Sequence, residues 1–320
     1  MLTSIRSPLA ASITIGVLLS SAPALAGNTE VSSSVDAGES ISLEHSDIQI
    51  IDLPVANEGS ATLLDPSIDW SAQSAAAARA NGPVDEEAAS SLGEETGISF
   101  SANVALTTEY RFRGINLSGG ELAIQGGFDV SHTSGLYAGV WASNLDEDTV
   151  GYGSIELDIY GGWSGNLTEG LTGDVGFIAY TYPDASGINT VVPGNFDYYE
   201  GYASLGFSLG PVSSTVGVAY APGQVGLDFG GERDNLYVYT DLSASIPDTP
   251  LTLNAHLGYT DGSLTFTNDS KAFDWSVGVD VAVGPATLSA AYIDVEGDAI
   301  NDPGGVFTDD AFVVTLSASF

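Results

Sequence analysis

The 320-residue chain carries 6 Lys and Arg against 42 Asp and Glu, a formal charge of −36, and contains no cysteine. That balance excludes general nucleic-acid binding, which needs basic groups to displace phosphate counterions, and it argues against docking on anionic head groups. No disulfide framework is available. A secreted chain with 39 Gly, 14 Tyr and 12 Phe therefore needs another source of stability, and a closed ladder of strands supplies one.

Met1 to Ala26 holds Arg6, an apolar run from Leu9 to Leu19, and Ala24-Leu25-Ala26. A charged start, a short apolar centre and a small-residue site predict a cleaved secretory signal peptide over 1–26. The run is too short for a bilayer, which takes about 20 apolar residues. From Gly27 to Gly97 the chain is rich in Ser, Ala and acid, with Arg79 its only Lys or Arg and acid clusters at Asp85-Glu86-Glu87 and Glu94-Glu95. Ala72 to Ala80 suits a helix, since Ala is the best helix former. The segment as a whole has too little apolar surface to offset the entropy of ordering, so an acidic, low-order periplasmic segment is expected over 27–97.

From Ile98 onward the text alternates apolar and polar with period two, the mark of strands with one greasy and one wetter face. In the first, Ile98, Phe100, Ala102, Val104, Leu106, Tyr110 and Phe112 share one face. Ser99, Ser101, Asn103, Ala105, Thr107, Glu109, Arg111 and Arg113 share the other. Further runs are Glu121–His132, Gly135–Asn144, Gly153–Ser164, Gly170–Tyr182, Tyr198–Leu209, Pro211–Ala221, Arg233–Ile246, Pro250–Thr260, Ala272–Val283, Ala286–Val295 and Thr308–Phe320. That makes about twelve segments near the ~10-residue length of a membrane-spanning strand. Each has an apolar face, no amphipathic helix is present to cover it, and no segment reaches the length of a transmembrane helix. The last segment alternates Phe312, Val314, Leu316, Ala318 and Phe320. A closing strand that ends on Phe is how many outer-membrane barrels finish, and Phe312, Val314, Leu316 and Phe320 are expected to be the signal read by the barrel-assembly machinery.

Connections test this independently. His132 to Gly135, Gly165 to Gly170, Gly210-Pro211, Ile246 to Pro250 and Gly284-Pro285 are short. Those between them, such as Pro183–Asp197, Pro222–Glu232, Asp261–Lys271 and Glu296–Phe307, are mostly long. Short periplasmic turns alternating with longer external loops is the habit of a bacterial barrel. The fold class expected is all-β: one antiparallel up-and-down transmembrane barrel over 98–320, embedded in outer-membrane lipid.

With the apolar set facing lipid, the other set lines a lumen. Glu109, Arg111, Arg113, Gln125, Glu156, Asp158, Asp174, Glu200, Asp241 and Asp280 are the candidate selectivity residues, and Asp129, Tyr237, Tyr239, His256 and Asp274 fall on the same face. Acids in a confined wall focus a field that favours cations or neutral polar solutes; the same groups are also able to form an internal ion-pair network filling a narrow barrel. Tyr110, Phe112, Trp163, Phe177, Phe207, Tyr220, Tyr259, Phe273, Trp275, Tyr292, Phe312 and Phe320 recur near strand ends, as girdles at the membrane–water interfaces do. Tyr137 and Trp141 share the parity opposite to Leu136, Ala138 and Val140, so the faces of that strand stay unassigned.

Enzyme signals are absent from the sequence. His45, His132 and His256 are the only histidines. No lipid-facing Ser/His pair, zinc cluster, GxSxG or P-loop accompanies them. No cofactor is expected. Acidic loops at Asp146-Glu147-Asp148 and Asp298–Asp310 suit calcium in chemistry but lack EF-hand spacing.

The stretch from Ala102 to Gly114 (ANVALTTEYRFRG) resembles the opening of the TorF family of outer-membrane porins, also called the Gcw_chp domain family. Gln125-Gly126-Gly127-Phe128, Gly135 to Asn144 and Glu156 to Gly162 continue the likeness. The resemblance implies an outer-membrane barrel with a porin role and no catalytic residues; the long acidic segment departs from the family's short lead. The expectation is passive diffusion of small polar or cationic solutes, with a non-conducting structural or adhesive barrel that binds a partner through its external loops as the alternative.

Overall fold

The computed structural model describes residues 96–185, 196–229, 231, 233–265, 267–297 and 308–320. The expected signal peptide and the acidic segment up to residue 95 lie outside the described residues. So does most of the acidic loop Asp298–Asp310.

Twelve strands close into one antiparallel barrel: β1 (Ile98–Thr107), β4 (Ala123–His132), β5 (Leu136–Asn144), β6 (Ile155–Thr168), β7 (Leu171–Thr181), β8 (Tyr198–Leu209), β9 (Val212–Ala221), β10 (Asn235–Ser245), β11 (Leu251–Gly262), β12 (Lys271–Val283), β13 (Ala286–Glu296) and β14 (Ala311–Ser319). Two further short strands, β2 (Arg111–Phe112) and β3 (Ile115–Asn116), pair only with each other. Each barrel strand pairs with its neighbour in sequence, and β14 returns to β1 with Asn103 opposite Ser319 and Thr107 opposite Thr315. Ala102 and Phe320 exchange both backbone hydrogen bonds at that seam, at 3.0 and 2.8 Å. Closure leaves no strand edge, which is the condition for placing backbone N–H and C=O groups in hydrocarbon.

The turns at the end where the chain enters the barrel are tight. Leu209 pairs with Val212 and Val283 with Ala286, so Gly210-Pro211 and Gly284-Pro285 are two-residue loops. Gly210 and Gly284 have φ of +62° and +61° with open space around them. Their requirement is conformational: a positive φ at the first loop position matches the twist of the flanking strands, and proline supplies the second.

Period two sorts the side chains. Phe100, Ile124, Phe128, Leu136, Ile159, Phe177, Phe207, Val216, Leu242, Leu257, Val277, Leu288, Phe312 and Leu316 are exposed on the outer surface. An apolar belt running round every strand is too large for a water-facing surface and matches hydrocarbon. Val277→Arg, on the outer face of β12, should therefore destabilise the barrel by about 2–4 kcal/mol in vesicle folding titrations if it lies near the midplane. Thr215→Arg, at a half-exposed position on the inner face of β9, serves as the control for side-chain bulk.

On β5 the unassigned faces resolve. Tyr137 and Trp141 are buried inside while Leu136 and Val140 are exposed. Large inward aromatics fit because glycines of neighbouring strands make room. Tyr160 lies over Gly139, Tyr137 over Gly162 and Tyr202 over Gly176, each so close that an added Cβ would meet the tyrosine hydroxyl at 2.4–2.5 Å.

Candidate functional site

The first strand does not continue through Phe112, as its alternation suggests. β1 stops at Thr107, whose hydroxyl donates to the Glu109 carbonyl at 2.9 Å, and the chain folds inward. Leu117 N–H donates to the Tyr110 carbonyl at 2.9 Å, and Arg111 pairs with Asn116 and Phe112 with Ile115. The result is a miniature hairpin with every residue from Tyr110 to Ser118 buried. Tyr110 and Phe112, expected in the lipid girdle, sit inside the barrel because hairpin and barrel interior offer them an apolar surface of their own. Glu109, Arg111 and Arg113 leave the wall strand for the same reason and ride on this inserted connection.

The hairpin turn is Arg113-Gly114, both at positive φ, +51° and +78°. Gly114 also packs closely: a Cβ there would approach Val295 Cβ at 2.7 Å and Asp274 Cβ at 3.0 Å. A left-handed Arg113 costs roughly 1–2 kcal/mol, so its side chain must be held by something. Its guanidinium lies 4.6 Å from the Phe112 ring centre and 4.3 Å from that of Tyr237, and its Nη2 donates to Glu200 Oε2 at 2.7 Å. Glu200 is on β8 and Tyr237 on β10. These strands flank β9, which five strands separate from β1 on each side of the ring, β4 to β8 one way and β10 to β14 the other. The hairpin thus spans the barrel and is latched to the wall opposite its origin. Burial alone lowers the basicity of Arg113, but Glu200, with Tyr180 and Tyr198 beside it, more than compensates and raises it above the ordinary arginine range. Arg111 is held within its own hairpin, with Nε donating to Glu109 Oε1 at 2.6 Å and Nη1 donating to the Gly114 carbonyl at 3.0 Å.

Acids surround this bar. Glu156 and Asp158 of β6 and Glu200 of β8 point inward and are buried. Asp158 pairs across β7 with Tyr180, and Tyr180 with Tyr198, so that carboxylate and two phenols share one row. The Tyr180 and Tyr198 rings stack at 4.5 Å, and Tyr180 donates to Glu200 Oε2 at 3.2 Å. Neither oxygen of Asp158 has a hydrogen-bond partner among the described residues, nor does Glu200 Oε1. Above the hairpin, Tyr152, Tyr182, Phe196 and Phe229 from three connections stack at 4.6–6.3 Å. Two of these connections are tied at the surface by Ser154, whose hydroxyl donates to Asp184 Oδ2 at 2.5 Å; that bond and neighbouring backbone N–H groups hold the Asp184 carboxyl below its usual range.

The remaining candidates line the wall. Gln125 Nε2 donates to Ser143 at 3.4 Å, Asp174 accepts from Tyr137 at 2.7 Å, and Asp280 accepts from Asn254 at 2.8 Å. Asp241 bonds His256 Nδ1 at 2.5 Å; His256 Nε2 lies 3.0 Å from the Tyr237 hydroxyl, which donates to Asp274 at 2.9 Å. This chain of groups ends under the Arg113 latch, a connection that strand parity did not reveal. Beyond it, toward the tight turns, the inner face turns to half-exposed small polar groups such as Ser101, Asn103, Ser204, Thr215 and Ser317. Phe312 and Leu316 of the expected assembly signal face outward with Phe320. Among the described residues, no group of three or more acid or histidine side chains is placed to hold a metal ion. Asp146 is hydrogen-bonded to Thr149 instead.

The family model described as "Bacterial protein of unknown function (Gcw_chp)" matches residues 91–320. No curated protein matches the chain. Among solved structures, the NanC porin is 11% identical with a TM-score of 0.46, covering 69% of this chain and 99% of its own. The KdgM porin, solved in complex with disordered oligogalacturonate, is 8% identical with a TM-score of 0.45, covering 69% and 98%. LpxR from Salmonella typhimurium is 10% identical with a TM-score of 0.36, covering 69% and 99%.

Proposed function

The chain belongs to the Gcw_chp family, and we propose that it is an outer-membrane channel, of the porin kind that the TorF resemblance implies, for passive diffusion of small polar or cationic solutes. The observation that carries this reading is the inner wall of the closed barrel. Asp129, Glu156, Asp158, Glu200, Asp274 and Asp280 are buried on the inward faces of strands whose outer faces are apolar. Fixed acids in a low-dielectric wall attract cations and repel anions. A signal peptide over 1–26 delivers the chain, the acidic segment 27–97 stays on the periplasmic side, and Phe312, Val314, Leu316 and Phe320 recruit the assembly machinery. His256 faces the lumen and is bonded there to Asp241, so this reading gives it a place in the wall and no catalytic part.

A reversal potential measured in planar bilayers under a salt gradient tests the reading. The expected sign is that of cation preference. Arg111→Ala should shift it further toward cations, since a fixed positive charge leaves the lumen; an unchanged potential would remove Arg111 from the selectivity set. Anion preference in the wild type would sink the proposal.

One observation favours a second reading. The hairpin and the aromatic residues above it fill the loop end of the barrel with an apolar core that includes Ile115, Leu117, Phe196 and Leu227. A permanently filled barrel is a structural or adhesive element, and its signature is the absence of conductance steps even when the hairpin is cut away.

A further inference from the structure

We propose that the contact set around the Arg113 guanidinium is a recognition site for small organic cations of the guanidinium class, with Arg113 as a built-in place-holder that such a solute displaces. The inference rests on the channel reading and names its solute class. Two aromatic rings, Phe112 and Tyr237, lie against the guanidinium at 4.6 and 4.3 Å, and Glu200 meets it at 2.7 Å. That is the chemistry by which a delocalised, weakly hydrated cation is recognised.

Arg113 fills this site badly. Its Nη2 is bonded, but Nε and Nη1 are buried without a hydrogen-bond partner among the described residues. On the receiving side, Glu200 Oε1 and both oxygens of Asp158 also lack hydrogen-bond partners among the described residues, although Asp158 is fully buried. Asp158 lies within electrostatic reach of Glu156 and Glu200. Donors without acceptors and acceptors without donors thus occur on the two partners of one ion pair, Arg113 and Glu200. Leaving such groups unmade costs free energy on both sides. The mismatch arises because Arg113 reaches the site from a two-residue turn whose backbone is fixed by Gly114 against Val295 and Asp274. A free guanidinium ion has no tether. It is able to take the aromatic slot and present its N–H groups to both oxygens of Glu200 at once. Phe112 belongs to the hairpin, so the slot stays whole only while the hairpin stays in the lumen, and the solute displaces the Arg113 side chain alone. A metal ion is the poorer occupant, because no acid cluster among the described residues has coordinating geometry.

The test uses the full chain in detergent, with methylguanidinium chloride as probe and N-methylurea, its neutral isostere, as control. In Arg113→Ala the vacated slot should bind methylguanidinium saturably and at least about tenfold more tightly than the wild type does, a difference of about 1.4 kcal/mol. Glu200→Gln added to Arg113→Ala should abolish that binding. A folded Arg113→Ala barrel with no saturable binding, or binding that survives Glu200→Gln, overturns the inference. Should Arg113→Ala fail to fold, uptake by wild-type proteoliposomes decides: methylguanidinium should enter at least about tenfold faster than N-methylurea, and equal rates overturn the proposal. Saturable binding without flux of either solute, even after the hairpin is cut away, would uphold the recognition site and sink the channel reading instead.

Discussion

Replacing Arg111–Asn116 with Asn-Gly should raise single-channel conductance several-fold and leave the barrel folded. The cut falls between Tyr110 and Leu117, which are already joined by a 2.9 Å backbone hydrogen bond. Asn-Gly is the two-residue loop that such a hairpin stub accepts most readily. What leaves is the bar across the lumen: the paired strands β2 and β3, the left-handed turn, and the Arg113 side chain clamped between Phe112 and Tyr237. What remains is the full ladder of the barrel, none of whose hydrogen bonds involves the excised residues. Elastic filling by the neighbouring aromatics is limited, because Tyr180 and Tyr198 are fixed by stacking and by strand register. Conductance that stays at zero in the excised variant would mean that the other connections seal the barrel without the hairpin, which is the behaviour of the non-conducting alternative.

How far the sequence discloses this arrangement depends on which force sets each position. The twelve wall strands were legible because lipid on one side and a wetter space on the other impose strict alternation, and the turn glycines mark their ends. Tyr198–Leu209 was read as a strand with the limits the structure has. The alternation failed at Tyr110 and Phe112, where both destinations are apolar. A lipid-facing aromatic and one packed inside an inserted hairpin look alike in period. One signal was present: a first strand running to Arg113 is longer than the 9–11 residues a crossing needs, and the surplus had to go somewhere. Gly114, three residues past Arg111, marked the place for a turn. The inward tyrosines escaped for a related reason. Tyr137 fits indoors only because Gly162 lies opposite, and the pairing of β5 with β6 that brings them together is a matter of register. The inward direction of Glu156, Asp158 and Glu200 was legible from parity and the place of Glu109 was not; the grouping around Arg113 escaped it, since it joins β6, β8 and a loop that starts at β1.

Glu200→Ala should be the most damaging single change in the site, costing about 3–5 kcal/mol as a buried ion pair is broken from one side. It removes the only carboxylate with which Arg113 forms an ion pair among the described residues. The guanidinium cannot shed its proton at any working pH, so it would remain charged, buried and attached to a strained turn. Two escapes exist. The hairpin leaves the lumen, exposing Arg113 to water, or Asp158 and Glu156 rearrange to take over from Glu200. Either way the double variant Arg113→Ala/Glu200→Ala should recover much of the loss, because no orphaned cation is left; chemical denaturation of the four proteins measures the coupling. Thiol labelling separates the two escapes, and the chain's lack of native cysteine makes it clean. Ile115→Cys, buried in the parent, should become reactive in the Glu200→Ala background if the hairpin swings out, and stay protected if Asp158 takes over the latch. A Glu200→Ala protein as stable as the parent, with Ile115→Cys still protected, would show that the contact with Glu200 does not hold the hairpin in place.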